Sequence, residues 1–162
     1  MTQTAAPPPP ARSGRRRSAA RLAAVQALYQ LELNPAAEPE AVIREFLRHR
    51  LGRDIDGDNY GEADQTLFED VVRGAVADGD RLDETIAAVL SEEWPLPRLE
   101  AVLRAILRAG AYELPHRQDV PPRVAVSEYT DIAHAFFSGK EPGLANGVLD
   151  RLARSLRPDD FA

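Results

Sequence analysis

The chain has no cysteine and a single lysine, and it has no long apolar run. The lack of cysteine excludes disulfides and thiolate metal sites, and it suits a reducing compartment such as the cytoplasm. No apolar stretch approaches the ~20 residues of a membrane helix, and residues 1–10 have no apolar core like that of a secretory signal. We therefore expect a cytoplasmic protein without membrane attachment.

Sequence patterns of catalytic and cofactor sites are also missing. The chain contains no Gly-x-Ser-x-Gly nucleophile turn and no glycine-rich phosphate loop. His49, His116 and His134 lie far apart, and none is followed by a ligand partner three or four residues later on the same helix face, although Glu45 lies four residues before His49. Only the fold could gather them, so surface or capping histidines are the favoured interpretation. We expect no catalytic residue, no metal and no cofactor.

The acidic loop at 54–62 has part of a calcium-binding pattern. A calcium loop of the EF-hand type needs glycine at its sixth position and glutamate at its twelfth. A count from Asp54 places Gln65 at position twelve, and a count from Asp56 places Leu67 there. Both registers fail, which favours a solvated acidic loop.

Positive charge is confined to one segment of an acidic chain. The net charge is −6, yet residues 12–21 hold five arginines and no acid. The other 15 basic residues face all 26 acidic residues, which leaves −11 for the rest of the chain. Arginines where a flexible leader meets a helix can follow a phosphate backbone. The alternative is a solvated helix start, although the helix dipole disfavours positive charge there.

Apolar periodicity predicts seven helices and no strand. We expect a disordered leader at 1–14, one helical domain at 15–158 and a tail at 159–162. The first apolar stripe runs from Ser18 to Asn34 through Leu22 and Leu33. The next six helices are expected to start near 39, 65, 80, 97, 121 and 142, with the fourth reaching Leu90 and the fifth ending at Pro115. Gly74 inside the third helix predicts close packing there, and the fifth helix is apolar on several sides, which predicts a central position.

Several blocks together resemble the NusB family of bacterial transcription antitermination factors. They are RRRSAARLAAVQALY at 15–29, the segment 68–76 with Gly74, Leu82-Asp83, 106–108 with 111–114, Asp119-Val120-Pro121, VAVSEYTDIA at 124–133 and NGVLD at 146–150. The resemblance implies a compact seven-helix bundle. It also implies a protein that binds the single-stranded boxA element of nascent ribosomal RNA together with the ribosomal protein NusE, and thereby acts indirectly on RNA polymerase.

The resemblance also implies RNA-binding positions. In the family, RNA is held by the arginine-rich N-terminus and by the start of the last helix. The matching positions here are Arg12, Arg15, Arg16, Arg17, Arg21, Tyr29, Lys140, Leu144 and Asn146. Family members often have phenylalanine where Leu144 stands and asparagine where Ser127 stands, and many have a shorter loop at 52–63.

Two other functions stay open at this point. One is a helical protein-interaction module that binds no RNA. The other is the NusB-like domain of an RNA cytosine methyltransferase, which needs a further domain and a catalytic cysteine, so it applies here only to a truncated enzyme. A homodimer of the free chain is equally compatible with the sequence.

Overall fold

Seven α-helices make up the fold. The computed structural model describes residues 12–49, 51 and 64–161, without the side chains of residues 12 and 13. The helices are α1 (Arg12–Leu33), α2 (Pro39–His49), α3 (Gln65–Ala77), α4 (Gly79–Ala87), α5 (Ala101–His116), α6 (Pro122–Phe136) and α7 (Glu141–Leu156). Across these residues there is no strand, which confirms the all-α seven-helix bundle. None of the described helices is long and apolar enough to cross a membrane.

Helix α5 lies at the centre of the bundle, as its sequence predicts. It contacts α1, α3, α4, α6 and α7. Most of its side chains from Leu103 to Leu114 are buried, because apolar residues cover more than one of its sides. The neighbouring helices therefore pack around α5, and a charged residue on it can meet several of them.

Two glycines let helices approach closely. A Cβ atom on Gly74 of α3 would lie 2.0 Å from the Tyr112 ring of α5, and one on Gly110 would lie 2.7 Å from Leu149 of α7. Any side chain at either position would overlap its neighbour. The predicted close packing at Gly74 is confirmed.

The first helix differs from the prediction in its start and its buried face. It begins at Arg12, six residues before the expected Ser18 and inside the segment 1–14 expected to be disordered; residues 1–11 lie outside the described part. Leu22 and Leu33 are exposed. The buried face instead carries Ala20, Ala23, Ala24, Val25, Ala27 and Leu28. Small side chains allow α1 to lie close to α3 and α5, so alanines take the place of the expected leucines.

Other helix ends were also predicted wrongly. Leu96–Arg98 is a separate 3-10 turn, so α5 starts at Ala101 and not at Pro97. Pro115 lies inside the last turn of α5, since one missing N–H does not prevent the turn from continuing to His116. Helix α4 ends at Ala87, before Leu90. Residues 158–161 form a second 3-10 turn, and the acidic loop 52–63 lies outside the described residues.

Candidate nucleic-acid interface

Arg15, Arg16 and Arg17 lie in the first turns of α1, and each is partly exposed. The first turn of this helix carries no acid. The guanidinium of Arg17 approaches Asp119, with 3.4 Å between Nη2 and Oδ2. The side chain of Arg12 lies outside the described part. We refer to Arg15, Arg16 and Arg17 as the arginine cluster.

Arg21 has a different environment from the cluster, which corrects its assignment as an RNA contact. Its side chain is 1% exposed and forms a two-pronged ion pair with Glu113 of α5, at 2.9 Å from Nε to Oε1 and 2.8 Å from Nη2 to Oε2. Burial lowers the pKa of Arg21, but the hydrogen bonds and charge of Glu113 outweigh it and raise the pKa above its ordinary value. A guanidinium enclosed in this way cannot reach a phosphate.

The ion pair of Arg21 and Glu113 extends into a buried polar network. Tyr129 of α6 donates its hydroxyl to Oε1 of Glu113 at 2.8 Å, and burial together with the charge of Glu113 raises the pKa of Tyr129 well above its usual value. Arg21 Nη1 donates to Glu128 of α6 at 3.3 Å, and Ser18 Oγ donates to the same carboxylate at 2.7 Å. The start of α1 is thus fixed to α5 and α6, which sets the direction in which the arginine cluster points.

Sequence reasoning missed this network, although two signals point to it. Arg21 lies four residues before Val25 and seven before Leu28, so it shares their buried face. Glu113 is an acid within the apolar stretch of α5, and it is 0% exposed. Buried acids and bases are almost always paired, which would have suggested that the two residues meet.

The loop between α5 and α6 presents Asp119 to the cluster. Asp119 Oδ1 lies 3.4 Å from Nε of Arg117, whose Nη1 lies 3.7 Å from Asp70 Oδ2 of α3. Asp70 also accepts the hydroxyl hydrogen of Tyr112 at 2.7 Å, and burial followed by this contact raises the pKa of Tyr112 to about 12. A chain of polar contacts therefore leads from the core of α5 to Arg17.

A second carboxylate lies near the cluster but in the interior. Asp64, just before α3, is buried, and its Oδ2 has no hydrogen-bond partner among the described residues. Burial raises its pKa, while the positive charges of Arg17 and Arg16 act in the opposite direction. The cluster thus also stabilises a poorly solvated carboxylate beneath it.

The other candidate residues lie at the start of α7 or against the core. Lys140 is exposed at the N-terminal boundary of α7. Leu144 is partly buried and packs against the core, as does Tyr29 of α1. Asn146 is exposed, and its Oδ1 lies 3.4 Å from the hydroxyl of Thr130. Leu144 therefore contributes at least part of its surface to packing.

Helix α6 connects the two groups of candidate residues. Its middle contacts the start of α1 through Glu128 and Ser18, and its C-terminal end leads into α7. The distance from Glu128 to Phe136 along the helix axis is about 12 Å. A shallow depression beside α6 is lined by Ser18, Arg123, Val124, Ser127, Glu128 and Asp131. Arg123 and Ser127 can donate hydrogen bonds to a ligand there, whereas Ser18 already donates to Glu128, and Glu128 and Asp131 add negative charge that disfavours a phosphate.

An acidic groove lies on another part of the molecule. It is lined by Leu28, Leu31, Glu32, Ala75, Val76, Gly79, Asp80, Asp83 and Arg108. Arg108 pairs with Asp83 at 2.7 Å and with Glu32 at 3.6 Å. Glu32 is about 22 Å along α1 from Arg17, so a ligand in this groove would leave the cluster open. In the described residues, no group of three or more histidines, aspartates or glutamates could hold a metal ion.

Comparison with known proteins shows that the sequence of this chain is similar to those of one protein family. The sequence model of the NusB family matches residues 18–154. A transcription antitermination protein NusB from Rhodopseudomonas palustris (strain BisB18) is 53% identical over 147 residues, which cover 91% of this chain and 86% of that protein.

Solved structures share the fold. NusB of T. maritima superimposes with a TM-score of 0.74 at 30% identity, over 91% of this chain and 96% of that one. A structure of the antitermination factors NusB and NusE in complex with double-stranded RNA has a TM-score of 0.72 at 23% identity, over 87% of this chain and 98% of that one. At that identity the second likeness concerns the fold alone.

Proposed function

The chain belongs to the NusB family, and we propose that it holds the single-stranded boxA element of nascent ribosomal RNA together with the ribosomal protein NusE. The chain is a transcription antitermination factor and not an enzyme. The RNA-bound pair would join the antitermination complex on RNA polymerase and help it to pass terminators.

The arginine cluster is the observation that carries the RNA part of the proposal. It gathers positive charge in one place on a chain of net charge −6. The buried network of Arg21, Glu113 and Glu128 fixes the helix that carries it. A preorganised set of guanidiniums binds phosphate with less loss of side-chain entropy than a flexible one. Arg15, Arg16 and Arg17 are therefore the proposed phosphate contacts, with Arg12 at their N-terminal side.

The start of α7 is the proposed second contact. Lys140 supplies a mobile positive charge there, and Asn146 supplies an amide that can bind a base edge. Leu144 and Tyr29 are only partly exposed, so they would add apolar contact with a limited part of their surfaces. We leave Arg21 out of the contacting set, since it is enclosed in the core.

The acidic groove supports a basic protein partner. Glu32, Asp80 and Asp83 surround an apolar floor that includes Leu28 and Val76. Ribosomal proteins of the NusE type are expected to be basic, and charge complementarity speeds association. A fold neighbour has been solved with NusE and RNA bound. We place NusE at this groove, so that both partners could bind at once.

RNA binding tests the first half of the proposal. We expect an RNA oligonucleotide carrying boxA to bind more tightly than a scrambled one, and more tightly again with NusE present. Replacing Arg15, Arg16 and Arg17 together by alanine should reduce the salt slope of binding by roughly two units, since each phosphate contact on a single strand contributes about 0.7. The matched control replaces Arg44, Arg48 and Arg81, three exposed arginines of α2 and α4. Equal losses in both triple variants would overturn the assignment.

Charge reversal in the acidic groove tests the second half of the proposal, which concerns NusE. Asp80→Lys should slow association with NusE and leave RNA binding by the isolated chain unchanged. Glu92→Lys, at another exposed acid, is the control. An association rate with NusE that is insensitive to both salt and Asp80→Lys would place the partner elsewhere.

A further inference from the structure

The depression beside α6 carries hydrogen-bond donors and acceptors side by side, and the proposed phosphate contacts leave it unused. We propose that it is a nucleobase subsite, in which Ser127 and Asp131 bind the Watson–Crick edge of a guanine from the single-stranded RNA. This inference rests on the proposed function and deepens it, because it names a base that the protein would select.

The carboxylates of the depression make a base a better ligand than a phosphate. Glu128 already accepts hydrogen bonds from Ser18 at 2.7 Å and from Arg21 at 3.3 Å. Asp131 is exposed and has no hydrogen-bond or ion-pair partner among the described residues. An ionised carboxylate only accepts hydrogen bonds, so it repels a phosphate and attracts the N–H groups of a base. Asp131 is therefore the acceptor that a ligand can use.

The spacing of Ser127 and Asp131 matches one edge of guanine. Residues four apart on a helix have Cβ atoms about 5–6 Å apart, and both side chains are exposed on the same side of α6. In guanine, the N1–H and N2–H groups are neighbours, and the O6 acceptor follows on the same edge. The two oxygens of Asp131 can accept from both N–H groups, while the hydroxyl of Ser127 donates to O6.

The other three bases fit this arrangement less well. Adenine presents its N6 amino group beside an acceptor nitrogen that would face the carboxylate of Asp131. Cytosine has the same alternation of donor and acceptor, and uracil places its N3–H group between two carbonyl oxygens. An acceptor that faces a carboxylate is repelled and loses the hydrogen bond that it makes with water. Among the four bases, guanine alone offers two adjacent N–H groups to the carboxylate.

The rest of the depression supplies a contact for the ring and a charge for the backbone of the strand. Val124 is 45% exposed, so its methyl groups can cover one face of a base. The Cζ atom of Arg123 lies 4.9 Å from the centroid of the Phe161 ring, which holds a positive charge at this end of the depression. Ser18 lines the depression and follows Arg17 in the chain. A strand held by the arginine cluster can therefore place a base beside α6.

The test measures binding of the full-length chain to short oligouridines that carry one central guanosine, inosine or adenosine. Inosine differs from guanosine only in lacking the N2 amino group, whereas adenosine also lacks O6 and N1–H. The wild-type chain should bind the guanosine strand about five- to tenfold more tightly than the adenosine strand, and about threefold more tightly than the inosine strand.

Two substitutions separate the two contacts. Asp131→Asn should abolish the preference for guanosine over both other strands, because the amide brings N–H groups against the N–H groups of the base. Ser127→Ala should reduce the preference over adenosine and keep the preference over inosine, since inosine retains O6. The matched control is Asp159→Asn, which removes one exposed negative charge outside the depression and should keep both preferences.

Ratios of affinities report base selection, and a general change of charge does not alter them. Equal binding of the three strands by the wild-type chain, or no binding of any of them, would overturn the inference. A guanosine-to-inosine ratio that survives Asp131→Asn, or that Asp159→Asn also abolishes, would overturn it as well. Failure of the proposed function is a different result, in which the wild-type chain binds boxA no more tightly than a scrambled strand.

Discussion

Arg17 and Arg21 lie one turn apart on α1 and have opposite surroundings. Arg17 is 38% exposed and contacts a carboxylate that water can reach, whereas Arg21 is 1% exposed and is enclosed by Glu113 and Glu128. The two side chains are chemically identical. The difference teaches that the position of a residue relative to the helix faces, and not its type, decides whether it serves the fold or a ligand.

The buried network and the arginine cluster also differ in the free energy of unfolding that is lost when one partner of an ion pair is removed. An exposed pair contributes about 0–1 kcal/mol, and its loss leaves both groups solvated. A buried pair gains little over an apolar pair, yet removal of one partner leaves an uncompensated charge and costs about 3–5 kcal/mol. Substitutions in the buried network should therefore affect stability more than RNA binding, and substitutions in the arginine cluster should show the reverse.

The largest effect is expected at Glu113. Glu113→Ala should lower the free energy of unfolding by about 3–5 kcal/mol, because Arg21 would remain buried without its main counter-charge. Urea denaturation measures this loss, with Asp119→Ala as the exposed counterpart, for which we expect less than about 1 kcal/mol. Similar losses in the two variants would break the comparison.

The protein should lose stability at alkaline pH because of two tyrosines, Tyr129 in the buried network and Tyr112 in the chain of contacts that leads to Arg17. Tyr112 and Tyr129 have pKa values raised above the ordinary 10, to about 12 for Tyr112. A tyrosine whose pKa is higher in the folded protein than in the unfolded protein contributes stability that is fully present below the unfolded-state pKa. That stability is lost as the pH rises towards the folded-state pKa. Between about pH 10 and pH 12, each tyrosine should therefore remove about 1.4 kcal/mol of stability per pH unit.

Replacing each tyrosine singly by phenylalanine shows how much of the alkaline loss of stability comes from that tyrosine. Tyr129→Phe and Tyr112→Phe should each flatten the fall of unfolding free energy by one tyrosine's share, measured by urea denaturation in alkaline buffers. Arg21 stays charged throughout this range, because its pKa is raised. A slope that neither substitution changes would show that other groups control alkaline unfolding.

An apolar replacement of the buried network should be tolerated. Arg21→Met, Glu113→Leu and Tyr129→Phe together should leave the unfolding free energy within about 2 kcal/mol of wild type, since well-packed apolar groups can replace a buried ion pair. Affinity for single-stranded RNA should change by less than the effect of Arg16→Ala if the helix keeps its direction. A large loss of affinity in a stable triple variant would show that the buried charges themselves act on RNA.

The smallest effect on stability is expected in the cluster. Arg16→Ala should change the unfolding free energy by less than about 1 kcal/mol, since Arg16 is partly exposed and shares with Arg17 the favourable action on Asp64. It should reduce the salt slope of RNA binding by about 0.7, whereas Arg16→Lys should leave the slope unchanged because the charge remains. Destabilisation by Arg16→Ala comparable to that of Glu113→Ala would contradict the division between the regions.

Local sequence predicts much of this fold. Seven apolar stripes, the central α5 and the close contact at Gly74 follow from periodicity and from the cost of a glycine inside a helix, and they are confirmed. The predicted helix ends were less accurate. Pro97 and Pro115 were interpreted as the boundaries of α5, but the chain forms a 3-10 turn at the first and continues through the second.

The partners of charged residues could not be predicted in the same way. In the sequence, Arg21 is one of five similar arginines, and its partner Glu113 is 92 positions away. Local patterns indicate that each of the two residues is buried, but they do not identify which buried residues pair across such a distance. The same holds for Asp119, whose contact with Arg17 spans 102 positions. The arginine cluster itself could be predicted because clustering is a local property.

The buried network also has a consequence for the order of events during synthesis. Arg21 leaves the ribosome early, yet Glu113 and Glu128 follow 92 and 107 residues later. At ordinary elongation rates of about 5–20 residues per second, the second carboxylate appears roughly 5–20 s after the arginine. During that interval Arg21 has neither Glu113 nor Glu128 to neutralise its charge, so its guanidinium stays hydrated. The N-terminal helix is therefore among the first segments made and among the last to reach its final place.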